Sequence, residues 1–385
     1  MKRIILLAAS AMAILAGCTR TEIRSIADEP QQITFRTVVG QQSTKALVSD
    51  TKYPVAETFG SFAFFNKQGE TFPTGASLYM PNSEVKKTTQ ASSGKVWTTA
   101  IPYYWPKQGS LTFFSYSPFN KLNAQTSCDA ADGIKITGWD VDANQDVDVM
   151  VADVKKNLTK ATGNGTNDSY TGVATVFRHK LSQIVGFQLK TAKDYASGRP
   201  ETAAKAGDKY FYFTKIAINK VKHKGNYTST INVDGSNLGA WTPETSTKDY
   251  VWYESTTGES FNATGTAAQA LVAPASTNGE YILVLPQDFT APGTGLGSDV
   301  ENIEIEYTIR TYVNDNSGNA TDYTEEEVHV YAPLYSIHNA TSAGDTKWQM
   351  NKQITYRFTV DLDDDQIYWA PSVEDWGTAN FDFSI

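Results

Sequence analysis

The sequence is poor in the residues on which most recognisable active sites depend. It contains two cysteines and four histidines among 385 residues. The histidines show no His-x-x-x-His or glutamate-adjacent spacing, and no Cys-x-x-Cys pair occurs, so zinc hydrolase chemistry is not indicated. Gly-x-Ser-x-Gly and a lysine-bearing phosphate loop are also absent. We therefore predict that the chain is not an enzyme and that it binds no cofactor and no metal.

Basic charge is also scarce. Lysine and arginine number 33 against 42 aspartates and glutamates, which gives a formal net charge of −9 at pH 7. Nucleic acids and anionic lipid headgroups require a basic surface for electrostatic binding. The composition therefore predicts no nucleic-acid partner and no electrostatic adhesion to anionic lipid.

Long apolar runs are absent except at the amino terminus. There Lys2 and Arg3 precede an apolar run that ends in Leu-Ala-Gly-Cys at Cys18. The run is too short for a stable membrane-spanning helix and has the order of a secretory signal, which predicts a signal peptide over residues 1–17. Because Leu-Ala-Gly-Cys matches the bacterial lipobox, we expect lipidation of Cys18. An ordinary secreted protein with a cysteine in its leader is the alternative.

Lipidation of Cys18 would exclude an intrachain disulfide, because Cys128 would be the only thiol left. Stability must then come from packing. After a polar tether over residues 18–32, the remaining chain is long enough for about two domains. A stretch of small polar residues at 161–172 favours a boundary there. We expect domains at 33–165 and 172–385.

Helical periodicity is weak, whereas short alternating or apolar runs are frequent. Leu111 to Tyr116 is largely apolar on both faces and predicts a strand in the middle of a sandwich. Ile303 to Ile309 alternates and predicts a strand with one wet face. Thr230 to Val233 is predicted as a further strand, and the polar residues 66–94 as long loops or an edge excursion. These patterns are typical of an all-β protein with two tandem antiparallel sandwiches.

Two features leave alternatives open. The acidic run from Asp140 to Asp148 offers carboxylates at alternate positions, as calcium loops do, but Gln145 and Val151 stand where such a loop has glycine and glutamate. A solvated acidic loop is therefore favoured over a calcium site. Eight tryptophans and 20 tyrosines leave room for an exposed platform that stacks on sugars, although most should be buried in a sandwich.

Several blocks taken together resemble the fimbrillin-like (Mfa-like) family, the type V pilin superfamily of Bacteroidales. In chain order the blocks are Ile33-Thr34-Phe35, Thr44-Lys45-Ala46, Tyr104-Trp105-Pro106, Leu111 to Pro118, Asp146 to Ala152, Phe177 to Leu189, Asn351 to Tyr356 and Glu374-Asp375-Trp376. The resemblance implies two transthyretin-like β-sandwich domains behind a lipoprotein signal peptide. It also implies a structural or accessory pilus subunit at the outer membrane and cell surface that serves adhesion. Its partners would be other pilin subunits, the outer membrane through lipid on Cys18, and a ligand on a host or bacterial surface.

The same resemblance implies assembly by donor-strand exchange. In that family a protease cuts after a basic residue, the first strand is lost, and a strand from a neighbouring subunit replaces it. Lys45 and Arg36 are the candidate cleavage sites here, and Trp376 to Ile385 is the candidate donor. The candidate exchanged strand carries Ile33, Phe35, Thr37 and Val39 on one face. A lipid-anchored carbohydrate-binding protein is the alternative function.

Overall fold

The computed structural model describes residues 30–39, 53, 56–90, 94–163, 172–255, 269–271, 281–294, 297–342, 344–363 and 366–376. Within these ranges the protein is all-β, as predicted, and its helices are short. None of the described helices is long and apolar enough to cross a membrane.

The first twelve strands are β1 (Phe35–Val39), β2 (Phe59–Asn66), β3 (Ser77–Gln90), β4 (Gly94–Thr99), β5 (Ser110–Ser117), β6 (Thr126–Asp129), β7 (Gly133–Asp140), β8 (Met150–Ala152), β9 (Lys155–Leu158), β10 (Val173–His179), β11 (Ser182–Thr191) and β12 (Lys209–Lys222). The others are β13 (Lys224–Thr228), β14 (Ala240–Pro243), β15 (Thr247–Glu254), β16 (Gln269–Leu271), β17 (Ile282–Val284), β18 (Asn302–Tyr312), β19 (Tyr323–Pro333), β20 (Lys352–Asp361), β21 (Gln366–Trp369) and β22 (Ser372–Asp375). The helices are α1 (Phe119–Leu122), α2 (Lys160–Gly163) and α3 (Leu334–Thr341).

Strands from the first half of the chain close into a ring, which we call the N-terminal barrel. The sheet order is β2-β3-β4-β1-β10-β8-β5-β9, and β2 also pairs with β5. This extra pairing gives every ring strand from β2 to β5 a neighbour on both sides. Gly60 on β2 lies opposite Tyr116 on β5, and a Cβ on Gly60 would come within 2.3 Å of the tyrosine ring. Ring closure therefore requires glycine at this position.

Strand β5 separates two hydrophobic cores. One lies inside the barrel and contains Phe113, and the other contains Phe114 and Tyr116. The second core lies between the barrel and a sheet of order β14-β13-β7-β6, which supplies Trp139 and Tyr227. Seven of the eight β5 residues are buried, because successive side chains enter different cores. The prediction of a central strand at Leu111 to Tyr116 is confirmed.

The second half of the chain forms two facing sheets, which we call the C-terminal sandwich. One sheet has the order β16-β11-β20-β21, with β17 also on β11 and β22 also on β20. The other has the order β15-β12-β18-β19. Aromatic contacts join them: Phe213 on β12 lies 6.0 Å from Phe358 on β20, and Phe187 on β11 lies 5.3 Å from Trp252 on β15. The core of this sandwich is the largest cluster of buried residues described.

The expected boundary near residue 165 does not separate the sheets. Strand β10 follows it in sequence but lies in the N-terminal barrel, between β1 and β8. Strands β13 and β14 pair in one sheet with β6 and β7 from the earlier range. The division into domains at 33–165 and 172–385 stays a prediction.

Two local predictions are wrong. The polar stretch 66–94 contains the 14-residue strand β3, which pairs with β2 and β4. Its buried positions Met80 and Val85 are five residues apart, so bulges and polar neighbours hide the alternation. Residues 230–233 contain a turn and no strand, and the strand lies just before them at β13. Its sequence, Lys-Gly-Asn-Tyr-Thr, has little of the apolar character by which strands are recognised.

Candidate functional site

Strand β1 occupies the position that closes the N-terminal barrel. It pairs in parallel with β10 over five residues, from Phe35 opposite Val173 to Val39 opposite Phe177. On its other side the contact with β4 is a single antiparallel pair, Phe35 opposite Trp97. Parallel pairing joins segments that are distant in sequence, so β1 is held by the barrel and not by a hairpin turn. We refer to β1 as the closing strand.

The entry into the closing strand is also anchored. Gln32 forms an isolated bridge with Tyr104, and the Ile33 amide donates to the Tyr103 carbonyl at 2.8 Å. The Trp105 amide donates to the Gln31 carbonyl at 2.9 Å. The block Tyr104-Trp105-Pro106 therefore lies beside the segment that leads into the closing strand.

The closing strand fills the centre of the barrel core. Phe35 and Thr37 of this strand and Ile33 just before it are each 1 % exposed, whereas Thr34 and Arg36 between them are half-buried. The Phe35 ring makes edge contacts with Phe59 at 5.6 Å and with Phe113 at 5.8 Å. Burial of such a side chain contributes about 1.5–3 kcal/mol, so removal of the strand would open an apolar cleft. Three residues of the candidate exchanged strand therefore share a buried face, and their exchange stays a prediction; the Val39 side chain lies outside the described ones.

Tyr53 anchors the chain again after the closing strand. It is 2 % exposed, stacks on Phe177 at 5.2 Å and meets Trp97 edge-on at 5.1 Å. Its hydroxyl lies 2.7 Å from Ser117 Oγ. The connection between Val39 and Tyr53 therefore joins two segments that are fixed in one core, and a cut within it would leave Tyr53 with the body of the protein.

The predicted processing residues differ in what the structure says of them. Lys45 and Cys18 lie outside the described residues. Arg36 is the second residue of the closing strand and lies opposite Ala174 of β10. A protease needs its substrate in an extended and accessible form, so a cut at Arg36 requires the strand to leave the sheet first. Cys128 is half-buried in β6, and burial raises the pKa of its thiol.

Trp376, the first residue of the candidate donor, packs against β10, the strand that pairs with the closing strand. Trp376 stacks on His179 of β10, with ring centres 4.1 Å apart and planes within 2°. His179 Nδ1 lies 2.6 Å from Asp148 Oδ2, which fixes the imidazole. The Trp376 amide donates to the Asn351 carbonyl at 2.8 Å. Residues 377–385 lie outside the described part of the chain.

The acidic run does not converge on one point. Each of its four aspartates faces a basic side chain. The pairs are Asp140 with His223 and Lys224, Asp142 with Lys248, Asp146 with Lys121, and Asp148 with His179. Among the described residues, the group whose ligand atoms lie within 4.8 Å of one another is Glu304, Glu306 and His329. There Lys215 Nζ lies 2.8 Å from Glu304 Oε2, so the protein supplies its own cation.

The tryptophans do not form an exposed stacking platform in the described structure. Six of the eight are buried, namely Trp97, Trp105, Trp139, Trp252, Trp348 and Trp376. Trp241 is partly buried and donates its indole N–H to the Lys180 carbonyl. Trp369 is partly buried against Phe358. In the described structure the tryptophans therefore provide no coplanar pair of solvent-facing rings, which the carbohydrate-binding alternative would need.

Sequence reasoning did not find Tyr53, the stack between Trp376 and His179, or the buried Lys180. Tyr53 follows a polar segment that carries no strand pattern. The stack joins residues far apart in the chain, and no local periodicity reports such a contact. His179 and Trp376 lie in two separate blocks of the resemblance, which marked both positions but not the contact between them.

Comparisons with known proteins cover most of the chain. A family model described as fimbrillin-like matches residues 44–376. A solved fimbrial protein from Bacteroides vulgatus is similar in fold, with 18 % identity and a TM-score of 0.53 over 90 % of this chain and 99 % of that chain. A fimbrilin from Porphyromonas gingivalis aligns at 10 % identity and a TM-score of 0.37 over 92 % of this chain and 100 % of that chain. No curated protein sequence matches the chain.

Proposed function

The chain belongs to the fimbrillin-like family, and from this premise we propose that it is a fimbrial subunit that assembles by donor-strand exchange and serves adhesion. The observation that carries the proposal is the closing strand. One short segment near the amino terminus supplies the centre of the barrel core and is paired on both sides by strands from elsewhere. A segment of this kind can be exchanged for a similar strand from another subunit without altering the rest of the ring.

The physical basis of the exchange is strand replacement in a preformed groove. Loss of the closing strand would expose the backbone of β10 and β4 and the side chains that surround Phe35. An incoming strand would restore backbone hydrogen bonds to β10 and insert alternate apolar side chains. The candidate donor offers Phe381, Phe383 and Ile385 at alternate positions. Its spacing matches that of Ile33, Phe35 and Thr37.

The cleavage step fits the placement of Tyr53. A cut at Lys45 would separate the closing strand from the barrel while Tyr53 keeps its place between Trp97 and Phe177. Strands β4 and β10, which carry Trp97 and Phe177, would then stay packed through Tyr53 while the groove opens. We propose Lys45 as the processed residue, in preference to Arg36 inside the strand.

Location and partners follow from the family and the leader. Membership in a fimbrial family supports a place at the cell surface and other fimbrial subunits as partners. We propose that lipid on Cys18 anchors the precursor to the outer membrane and that cleavage at Lys45 frees the subunit. A subunit that is never cut would stay at the membrane as an anchor. The transthyretin-like architecture of the two domains belongs to the same proposal.

Assembly can be tested with a precursor in which residues 41–47 are replaced by the recognition sequence of a site-specific protease. After cleavage we expect ladders on a gel that resist detergent and disappear on boiling. Phe383→Asp should abolish the ladders, because a carboxylate cannot enter the apolar groove. Ser384→Asp is the matched control, since its side chain points the other way in an extended strand.

Two results would contradict this proposal. One is a cleaved protein that stays monomeric while its barrel remains folded. The other is a ladder that forms equally well with Phe383→Asp. Mass spectrometry of protein extracted from the cell surface would separate the two subunit roles, since an anchor keeps acylated Cys18 and a stalk subunit begins after Lys45.

A further inference from the structure

The C-terminal sandwich has an open side with a groove of about 740 Å³. The groove lies between the two edge strands β19 and β21 and ends against α3. Its apolar lining includes Tyr307, Val328, Val330, Leu362, Ile367 and Trp369. It is separate from the closing strand, which lies in the N-terminal barrel.

The open side results from a mismatch in strand length. Strand β19 has 11 residues, but β21 across the groove has four. On β18 the inward residues Ile303 and Ile305 are completely buried, whereas Val328 and Val330 on β19 are only half-buried. The inner face of β19 therefore lacks the cover that the neighbouring strand has.

Strand β19 also lacks a second backbone partner in the described part of the chain. All 11 of its residues pair with β18, and β19 is the last strand of its sheet. The free edge of a β-strand presents N–H and C=O groups that can pair with another strand. An apolar groove beside such an edge can bind an extended peptide through its backbone and through every second side chain.

The charge on this edge selects the kind of strand that fits. Glu325, Glu326 and Glu327 are consecutive and exposed on β19. Glu326 lines the groove together with Asp361, and Lys209 is the basic residue there. A second copy of β19 placed edge to edge would bring these carboxylates together, which disfavours self-association. A strand with basic residues would meet opposite charge.

We propose that the groove between β19 and β21 binds an extended strand of another protein, with apolar side chains at alternate positions and lysine or arginine between them. The strand pairs with the free edge of β19. Its apolar side chains enter the groove between Val330 and Trp369, and its basic side chains point to the opposite face of the sheet, where Glu327 lies. This binding needs no cleavage and no exchange at β1, so it stands or falls separately from the assembly mechanism.

Binding can be measured on the uncleaved full chain with a fluorescent ten-residue peptide of alternating valine and lysine, by anisotropy at physiological ionic strength. A peptide of the same composition with valines and lysines in separate blocks is the control for charge alone. We expect the alternating peptide to bind at least about tenfold more tightly, because only its apolar side chains share one face.

Three variants locate the site. Glu327→Lys and Val330→Glu should each weaken binding by about tenfold or more, through charge reversal on the face that meets the basic side chains and through loss of the apolar lining. Glu244→Lys changes the net charge equally at an exposed position outside the groove and should leave binding unchanged. Circular dichroism confirms that each variant is folded. Equal binding of the two peptides, or equal loss with Glu244→Lys, would overturn the proposal.

Discussion

The N-terminal barrel and the C-terminal sandwich solve the problem of strand edges in opposite ways. Strand β1 completes the ring of the barrel, so the ring has no free edge. The closure of the ring therefore depends on one short segment. The sandwich keeps β19 and β21 as edges and places three glutamates on β19. The closed body can therefore gain a partner only by losing a strand, whereas the open body can add one.

The chain passes from one body to the other through a short buried junction. Strand β10 of the barrel ends at His179 and β11 of the sandwich begins at Ser182, with Lys180 and Leu181 between them. Both connecting residues are completely buried. A change at the closing strand can therefore reach the sandwich through this junction and through the stack of Trp376 on His179, because β10 pairs with the closing strand and ends at both contacts.

The largest effect is expected from truncation of the closing strand. Phe35→Ala should lower the free energy of unfolding by about 3–5 kcal/mol, because it leaves a cavity between Phe59 and Phe113. Amide exchange should rise in β4 and β10 and stay unchanged in β12 and β18. Urea unfolding and hydrogen exchange measure the two effects.

The matched variant is Phe358→Ala in the sandwich core, where the phenylalanine is 2 % exposed. Its loss of stability should be similar, but the increase in exchange should fall on β11 and β12. If Phe35→Ala costs less than about 1 kcal/mol, or if its exchange pattern matches that of Phe358→Ala, the closing strand is not a separable part of the barrel.

The junction gives the second prediction. Burial lowers the pKa of Lys180 to about 7, and its Nζ has no hydrogen-bond partner in the described structure, with the Tyr227 ring 5.8 Å away. In the unfolded chain the Lys180 amine is protonated below its ordinary pKa of 10.5, whereas in the folded protein it stays neutral down to about pH 7. Stability should therefore fall as the pH drops from about 10 to 7 and stay at that lower level below 7.

Lys180→Met should raise the free energy of unfolding at pH 7 by about 2–4 kcal/mol and remove this part of the pH dependence. Urea titrations at pH 7 and pH 9.5 would show both effects. Lys107→Met, at an exposed position, is the control and should change neither. An unchanged or lower stability for Lys180→Met would mean that the amine has a partner that stabilises its charge.

The sequence revealed some strands of the protein and concealed others. Strong apolar runs such as Leu111 to Tyr116 and Ile303 to Ile309 predicted β5 and β18, because both bury continuous or alternating faces. Strand β3 was missed because its long outer face is polar, and β13 because its neighbours supply the burial. The closing strand was predicted from alternation at Ile33, Phe35 and Thr37. Its parallel pairing with β10 was not, since no local pattern encodes a partner more than a hundred residues away.

The groove between β19 and β21 lay beyond sequence reasoning for a related reason. In the sequence, Val328 and Val330 have the pattern of an ordinary half-buried strand, and nothing distinguishes Trp369 from the other seven tryptophans. Only the difference in length between β19 and β21 exposes their inner faces, and that difference depends on where each strand stops. Strand ends are set by tertiary packing and carry weak local signals.

The smallest effect is expected on the outer face of the sandwich. Burial opposes ionisation of Glu304, but hydrogen bonds from Lys215, Asn219 and His329 outweigh it and lower the pKa to about 2. The ionised carboxylate therefore stabilises the folded state above its ordinary pKa of 4.5, and this contribution is lost as the pH falls through about 2. Glu304→Gln should cost about 1–2 kcal/mol at pH 7 and much less at pH 2. Urea titrations at the two pH values test this, with the exposed Glu244→Gln as control. An equal cost at both would show that shape, and not charge, holds this face of the sandwich, whereas the barrel should be unaffected in either case.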